Sequence, residues 1–398
     1  PYLHIIIFHG IDCFNGLKYF LIIVMNIKIL KFLLISVLVF LSACVGPTTQ
    51  RVKPNDAAVA IEAEKQREIA LKEMLKSQNR LLKIGAPILK KSLSLCKDRK
   101  RKSIGIRYAN KYDFEGEYQG IAISKLGLGE ALEITYVVES SPAANVGMQV
   151  GDVLLSTNDK NVPIGKNASK NFSDLLKKEI KDNAALSFQI IRNDITESFT
   201  VTPAESCDYP LIVTSDDTVN AFADGNNIYI TQGMMDFTKS DDELALVVAH
   251  ELAHNAMRHI DAKRTNAMGG FVIDMLIAVL TGIDTQGMFT QNFAQAYSQE
   301  FESEADYVGL YMCESAGYNI SDAAYFWRRM GVKHPGSIDK NHAASHPSTP
   351  ERFVSIEDTI KEIERKKTTG EALMPNIDEN ALDGRDPPSA TPANKIGF

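Results

Sequence analysis

Leu244-Ala-Leu-Val-Val-Ala-His-Glu-Leu-Ala-His-Asn255 is the stretch on which the reading of this chain turns. Leu244, Val247, Val248 and Leu252 recur with helical spacing and mark a buried helix. Asp241 and Asp242 stand where such a helix is capped, and Glu243 suits its first turn. His250 and His254, four apart, share one helical face and can bind one Zn²⁺. Glu251, between them, is placed to take a proton from a metal-bound water. A chance HExxH is the competing reading, and the helical setting argues against it.

A catalytic zinc site needs three protein ligands and an open position. Downstream, Ser298-Gln-Glu-Phe-Glu-Ser-Glu-Ala-Asp-Tyr-Val-Gly-Leu310 reads as a helix continuing through Tyr311, Met312 and Cys313. Glu302 and Asp306 stand four apart on one face, so one can ligate zinc while the other accepts the spare ring N–H of a zinc histidine. Glu300 and Glu304 lie there too, and a solvated acidic face is the alternative for this segment taken alone.

HExxH followed by Glu302-Ser-Glu-Ala-Asp-Tyr-Val-Gly309 resembles the gluzincin peptidases grouped with HtpX, the Oma-type proteases and the CAAX-prenyl endopeptidases. Asn220-Ala-Phe-Ala-Asp-Gly-Asn-Asn-Ile-Tyr-Ile-Thr-Gln-Gly-Met-Met235 is similar to that family's strand pair before the active helix. Asp241-Asp-Glu-Leu-Ala245 resembles its approach to HExxH, and Ser345-His-Pro-Ser-Thr-Pro-Glu-Arg-Phe353 its late His-Pro-x-x-x-x-Arg element. The resemblance implies Glu302 as third ligand rather than Glu304, which leaves Asp306 as outer support; Arg352 reads either as support for the same pocket or as a structural ion pair. It also implies His346 near the metal, either on the oxyanion or over the open zinc position, and Asn220, Ala221 and Phe222 as the strand that pairs with substrate. Ser298-Gln299 departs from the family's Ser-Arg, which bears on an outer arginine contact and not on the ligands.

None of the eight histidines falls between residues 10 and 249. His259 is read as a helix C-terminal cap favoured by the dipole, and His334 and His342 as solvent-facing.

With 398 residues, 44% hydrophobic and 23% charged, the chain is long enough for two globular domains. A net charge of −7 and no basic run beyond Lys97-Asp-Arg-Lys-Arg-Lys102, read as a solvated loop, argue against nucleic acid as a partner. Residues 1–24 read as upstream translated sequence. Residues 25–43, with Lys28, Lys31 and an apolar core from Phe32 to Leu41, read as a signal peptide. Leu41-Ser-Ala-Cys44 resembles a bacterial lipoprotein box, which implies lipidation of Cys44, a membrane anchor and a periplasmic location, with the outer membrane favoured. An exported chain meets an oxidising compartment, so Cys96 and Cys207 are candidates for a disulfide, while Cys313 reads as core.

Residues 44–103 read as a tether and an exposed helix over Ala57–Leu82, rich in charged i,i+4 pairs. From residue 104 to 207 short strands dominate, with a hairpin signal at Asn193-Asp194. Ser141-Pro-Ala-Ala-Asn-Val-Gly-Met-Gln-Val-Gly-Asp152 resembles a PDZ domain of the bacterial protease type, whose ligand is a peptide C-terminus laid beside a strand. Leu126-Gly-Leu-Gly129 reads either as its carboxylate-holding loop or as a hairpin turn. Residues 208–366 read as the peptidase domain that the resemblance implies. Met268–Ile283 is too short and interrupted for a membrane span and reads as a buried helix or a surface-lying hairpin near the cleft. Residues 367–398 read as a disordered tail ending Lys395-Ile-Gly-Phe398, itself similar to a PDZ ligand.

The expected fold is α+β: a mainly helical zincin-type domain with a small sheet, plus a β-rich PDZ domain. The expected activity is that of a zinc metalloendopeptidase with one Zn²⁺ per chain, acting on protein or peptide substrates. The rival is a non-catalytic PDZ lipoprotein acting as a scaffold or chaperone, its zinc structural.

Overall fold

A computed structural model describes residues 48–49, 51–281, 284–288, 298–333, 350–378, 382 and 385. The leader, the signal segment, Cys44, His334, His342, His346 and the terminal Lys395–Phe398 lie outside the described residues. Contacts divide the chain into Pro1–Ile61 and a compact Glu62–Phe398.

Helix α1, Asp56–Lys91, runs past the expected end at Leu82. Its first half is mostly surface, apart from buried Leu71, with Lys72 Nζ donating to Glu68 at 2.6 Å. Its second half is not exposed: Leu81, Ile84, Ile88 and Leu89 are buried in the peptidase core, because their three- and four-residue spacing makes one apolar stripe. Gly85 lets this helix close on Leu211 and Val248, where a Cβ would meet the Leu211 side chain at 2.1 Å.

Cys96 is bonded to Cys207, and beside this link β1 (Lys100–Ser103) pairs antiparallel with β8 (Ala204–Cys207). Between them lies the PDZ sheet, in the order β2 (Ile106–Ala109), β3 (Glu133–Val137), β4 (Val153–Thr157), β6 (Leu186–Arg192), β7 (Ile195–Val201), with β5 (Lys160–Asn161) on β4. Leu132, Ile134, Leu154, Phe172 and Phe188 form its core, with helix α4 (Ala168–Asp182) supplying Phe172. Ser141 caps the short α3, Pro142–Asn145, and buried Asp152 takes two 2.7 Å bonds from Arg192. Asn193 and Asp194, both at positive φ, make the tight β6–β7 turn. Leu126-Gly-Leu-Gly129 is not the hairpin turn that was one of its two readings. Gly127, at φ 74°, ends helix α2 (Glu117–Leu126) as a left-handed cap, and Leu128 is buried behind it.

The peptidase part opens with a mixed three-stranded sheet ordered β10 (Ala221–Ala223), β11 (Ile228–Thr231), β9 (Leu211–Thr214), in which β9 and β11 run parallel. Helices α5 (Gln232–Phe237), α6 (Asp241–Ala256), α7 (His259–Thr281), α8 (Ser298–Ser315), α9 (Ala323–Lys333) and α10 (Pro350–Thr369) follow. From Leu244 to Ala256 every residue of α6 is buried. Of the two readings of Met268–Ile283, a buried helix or a surface-lying hairpin, helix α7 shows a helix, but one that is apolar on an exposed side. Met268, Phe271, Val272, Met275, Leu276 and Val279 stand exposed along one side of it, while Asp274 faces in and accepts from Thr285. No helix among the described residues is long and apolar enough to cross a membrane.

The expected disordered tail is in part a packed segment. Leu373 and Ile377 lie against the core, Leu382 is inside it, and buried Lys366 donates to the Met374 carbonyl at 2.8 Å. Average composition misses this because three well-spaced apolar residues suffice to dock the chain.

Candidate active site

The active helix is started by Ser240, whose hydroxyl accepts the Glu243 N–H at 3.2 Å, and not by Asp241 or Asp242. Asp241 is instead paired with Arg80 and Lys83 of α1, and Asp242 accepts the Asn319 N–H at 2.9 Å. Arg80 also donates to the carbonyls of Met235, Thr238 and Ser240, so α1 fixes the loop from which α6 begins.

Helix α8 lies across α6 at very short range. A Cβ on Gly309 would stand 3.1 Å from the His250 backbone nitrogen and 3.2 Å from the Ala249 carbonyl carbon. That approach delivers Glu302 to the two histidines of α6. His250 Nε2 and His254 Nε2 are 3.1 Å apart, and each lies 3.3 Å from an oxygen of Glu302. A tetrahedral ion with ligand distances of about 2.0–2.1 Å needs donor separations of roughly 3.3–3.4 Å, close to what these side chains show. Burial opposes a proton on His250, but Asp306 and Glu302 outweigh it and lift the imidazole to about 10, so this donor set attracts positive charge. His250, His254 and Glu302 therefore fit a metal ion.

Each histidine is held from behind. His250 Nδ1 meets Asp306 at 2.9 Å, and Arg352 donates to both oxygens of Asp306 at 2.7 and 2.9 Å. Burial would raise the Asp306 carboxyl, yet Arg352 and His250 hold it below its ordinary range. Arg352 also lies over the Trp327 ring, which packs on His250. His254 Nδ1 meets His259 Nδ1 at 2.8 Å, and His259 Nε2 meets Glu304 at 2.9 Å. His259, read from the sequence as an end cap, is thus fully buried behind a candidate ligand. Residues five apart on a continuous helix diverge by about 140°. Here Arg258, at φ 56°, breaks the path between α6 and α7 and turns His259 back. Burial pushes both His254 and His259 down, towards the neutral form that can ligate or relay a hydrogen bond.

Glu251 is 2% exposed, on the same helix as both histidines. Asn255, which sequence reasoning passed over, receives the Gly225 N–H on Oδ1 at 2.8 Å and donates Nδ2 to the Asn227 carbonyl at 3.1 Å. It clamps the β10–β11 turn to the active helix. Asn220, Ala221 and Phe222 therefore stand beside α6, with Phe222 stacked on Tyr229 at 4.7 Å. In the described order β10 is the outer strand of the sheet.

Residues 189–360 match the peptidase family M48 model, and residues 103–202 match the PDZ domain model. The mitochondrial metalloendopeptidase OMA1 of Schizosaccharomyces pombe is 32% identical over 41% of this chain and 50% of its own length. The beta-barrel assembly-enhancing protease of Escherichia coli is 28% identical over 26% of this chain and 24% of its own. A putative beta-barrel assembly-enhancing protease of Vibrio cholerae is 23% identical over 63% of this chain and 50% of its own. The chain thus spans about half, or less, of these curated relatives. With the buried His250–His254–Glu302 cluster on its helices and a β-rich module ahead of it, the chain carries a peptidase family M48 domain preceded by a PDZ domain.

Proposed function

We propose that this chain is a zinc-dependent endopeptidase of the bacterial cell envelope, cutting misfolded or misassembled proteins. The observation that carries the reading is the buried convergence of His250, His254 and Glu302 with Glu251 on the same helix. When bound, zinc would polarise water and the scissile carbonyl. Glu251 takes the proton of the attacking water and delivers it to the leaving amine. Asp306 and His259 fix the imidazole tautomers, so both Nε2 lone pairs point at one place. We assign substrate alignment to β10, at Asn220, Ala221 and Phe222, and oxyanion support or gating to His346, on the resemblance of its His-Pro-x-x-x-x-Arg element. The PDZ module would receive peptide C-termini, and Cys44 would carry the lipid anchor. The names of the bacterial relatives, which concern β-barrel assembly, support an envelope setting. A scaffold with structural zinc would call for a fourth protein ligand, and the cluster among the described residues has three members.

Purified wild type should hold about one zinc per chain and degrade casein. Glu251→Gln should keep the metal and lose at least about 100-fold in rate, whereas Glu302→Ala should lose the metal. A Glu251→Gln variant as fast as wild type would end the catalytic reading.

A further inference from the structure

The spare nitrogens of the two metal histidines are treated differently. A ligating histidine usually donates its other N–H to an oxygen acceptor, which sets ring orientation and basicity. His250 does this directly with Asp306, but His254 faces another imidazole. If His254 ligates through Nε2, its Nδ1 carries the proton and donates it. His259 Nδ1 must then accept, so the single proton of His259 lies on Nε2, pointing at Glu304 Oε2 at 2.9 Å. The orientation of His254 therefore ends on one carboxylate, and that carboxylate is held from the far end of the chain. Arg385 Nη1 donates to Glu304 Oε2 at 3.0 Å and to the Met257 carbonyl at 2.9 Å, the latter just past the end of α6. Its guanidinium lies 5.3 Å from the Phe301 ring centre, and His259 stacks on the same ring at 4.7 Å. Leu382, buried in the core, anchors the segment, and its carbonyl accepts the Arg385 N–H at 3.2 Å.

We propose that Arg385, carried in by the C-terminal segment, is a positioning residue for the metal ligand His254, acting through Glu304 and His259. It plays towards His254 the part that Arg352 plays towards His250 through Asp306. The inference rests on the metal-site reading above. It makes the C-terminal segment part of the centre without touching substrate, and gives Glu304 a task that the choice of Glu302 as ligand leaves open.

The test uses the full chain and three variants, Arg385→Ala, Arg385→Lys and Glu304→Gln. Zinc affinity is measured by chelator competition, the visible bands after cobalt substitution report ligand geometry, and the melting temperature of the metal-free protein reports the fold. Arg385→Ala and Glu304→Gln should each weaken zinc about 10- to 100-fold and shift the cobalt bands, as loss of an outer-sphere partner does. Arg385→Lys should recover part of both, and the metal-free melting temperatures should stay near wild type. Should Arg385→Ala fail to fold, Glu304→Gln carries the same test from a different element. Wild-type affinity and spectrum in both Arg385→Ala and Glu304→Gln would overturn the inference, as would weaker affinity with unchanged bands. A wild type that binds no zinc would instead sink the metal reading and this inference with it.

Discussion

Glu243 does three things at the start of the active helix. Its carboxylate accepts the Lys239 N–H at 2.7 Å and pairs with Arg329 of α9, while its own N–H is taken by Ser240. Burial raises its pKa, but Arg329 and the Lys239 amide outweigh burial and leave it below the ordinary value. A depressed carboxyl stabilises the fold above its unfolded pKa and loses that contribution as pH falls through its folded value. Glu243→Gln should therefore cost about 1–3 kcal/mol at pH 7, the scale of a hydrogen bond to a charged group. Urea unfolding of both proteins should show the gap closing as pH drops from about 5 towards 3. A gap that stays constant to pH 3 would mean the carboxylate is not the source. At this scale the sequence was most legible where chemistry has a fixed spacing. His250, Glu251 and His254 stand out because four residues bring a helix back to the same face. Glu302 and Asp306 were equivalent on spacing alone, and only a family resemblance separated them. His259 was misread because no periodicity shows that Arg258 adopts a left-handed backbone.

Between elements, the site's dimensions are set by how closely α8 lies on α6, and Gly309 sets that distance. Its missing Cβ faces backbone atoms at 3.1 to 3.3 Å, and backbone cannot swing aside as a flexible side chain can. Gly309→Ala should move Glu302 and Asp306 away from the histidines by a few tenths of an ångström. The expected result is an overpacking cost of about 1–3 kcal/mol and weaker zinc binding in a protein that still folds. Calorimetry and chelator competition on that variant measure the two effects separately, and unchanged zinc affinity would refute the spacing argument. The elements themselves were readable as helices and strands, but their partners were less so. The apolar stripe of α1 at Leu81, Ile84 and Ile88 continues beyond the charged half that catches the eye, so burial was missed. The glycines around Leu128 were ambiguous because a helix stop, a loop and a hairpin turn all use the same freedom at positive φ.

Across the whole molecule, the bond between Cys96 and Cys207 spans a sequence separation of 111. A loop of that size cross-linked in the unfolded chain is worth up to about 5 kcal/mol of chain entropy. Replacing both cysteines with alanine should lower unfolding free energy by that amount, and a reducing agent should lower wild type to the same level. Equal stability of the variant and oxidised wild type would contradict the pairing. Anchoring is tested on the cell: Cys44→Ser should abolish palmitate labelling and shift the protein out of the membrane fraction. The order of a PDZ module before a peptidase was legible in sequence, since each carries its own motifs. Where one stops and the other starts was not, because α1 precedes the PDZ strands in the chain yet packs with the peptidase core.

That placement means the protease is written in two pieces. The strands from Ile106 to Val201 enter and leave through one ribbon, β1 against β8, while the peptidase core draws on residues both before and after them. A fragment beginning at residue 208 would keep His250, His254 and Glu302 and still leave Leu211 and Val248 without the cover that Gly85 and its neighbours supply. A fragment that keeps this core therefore has to retain α1 as well as the residues after 207.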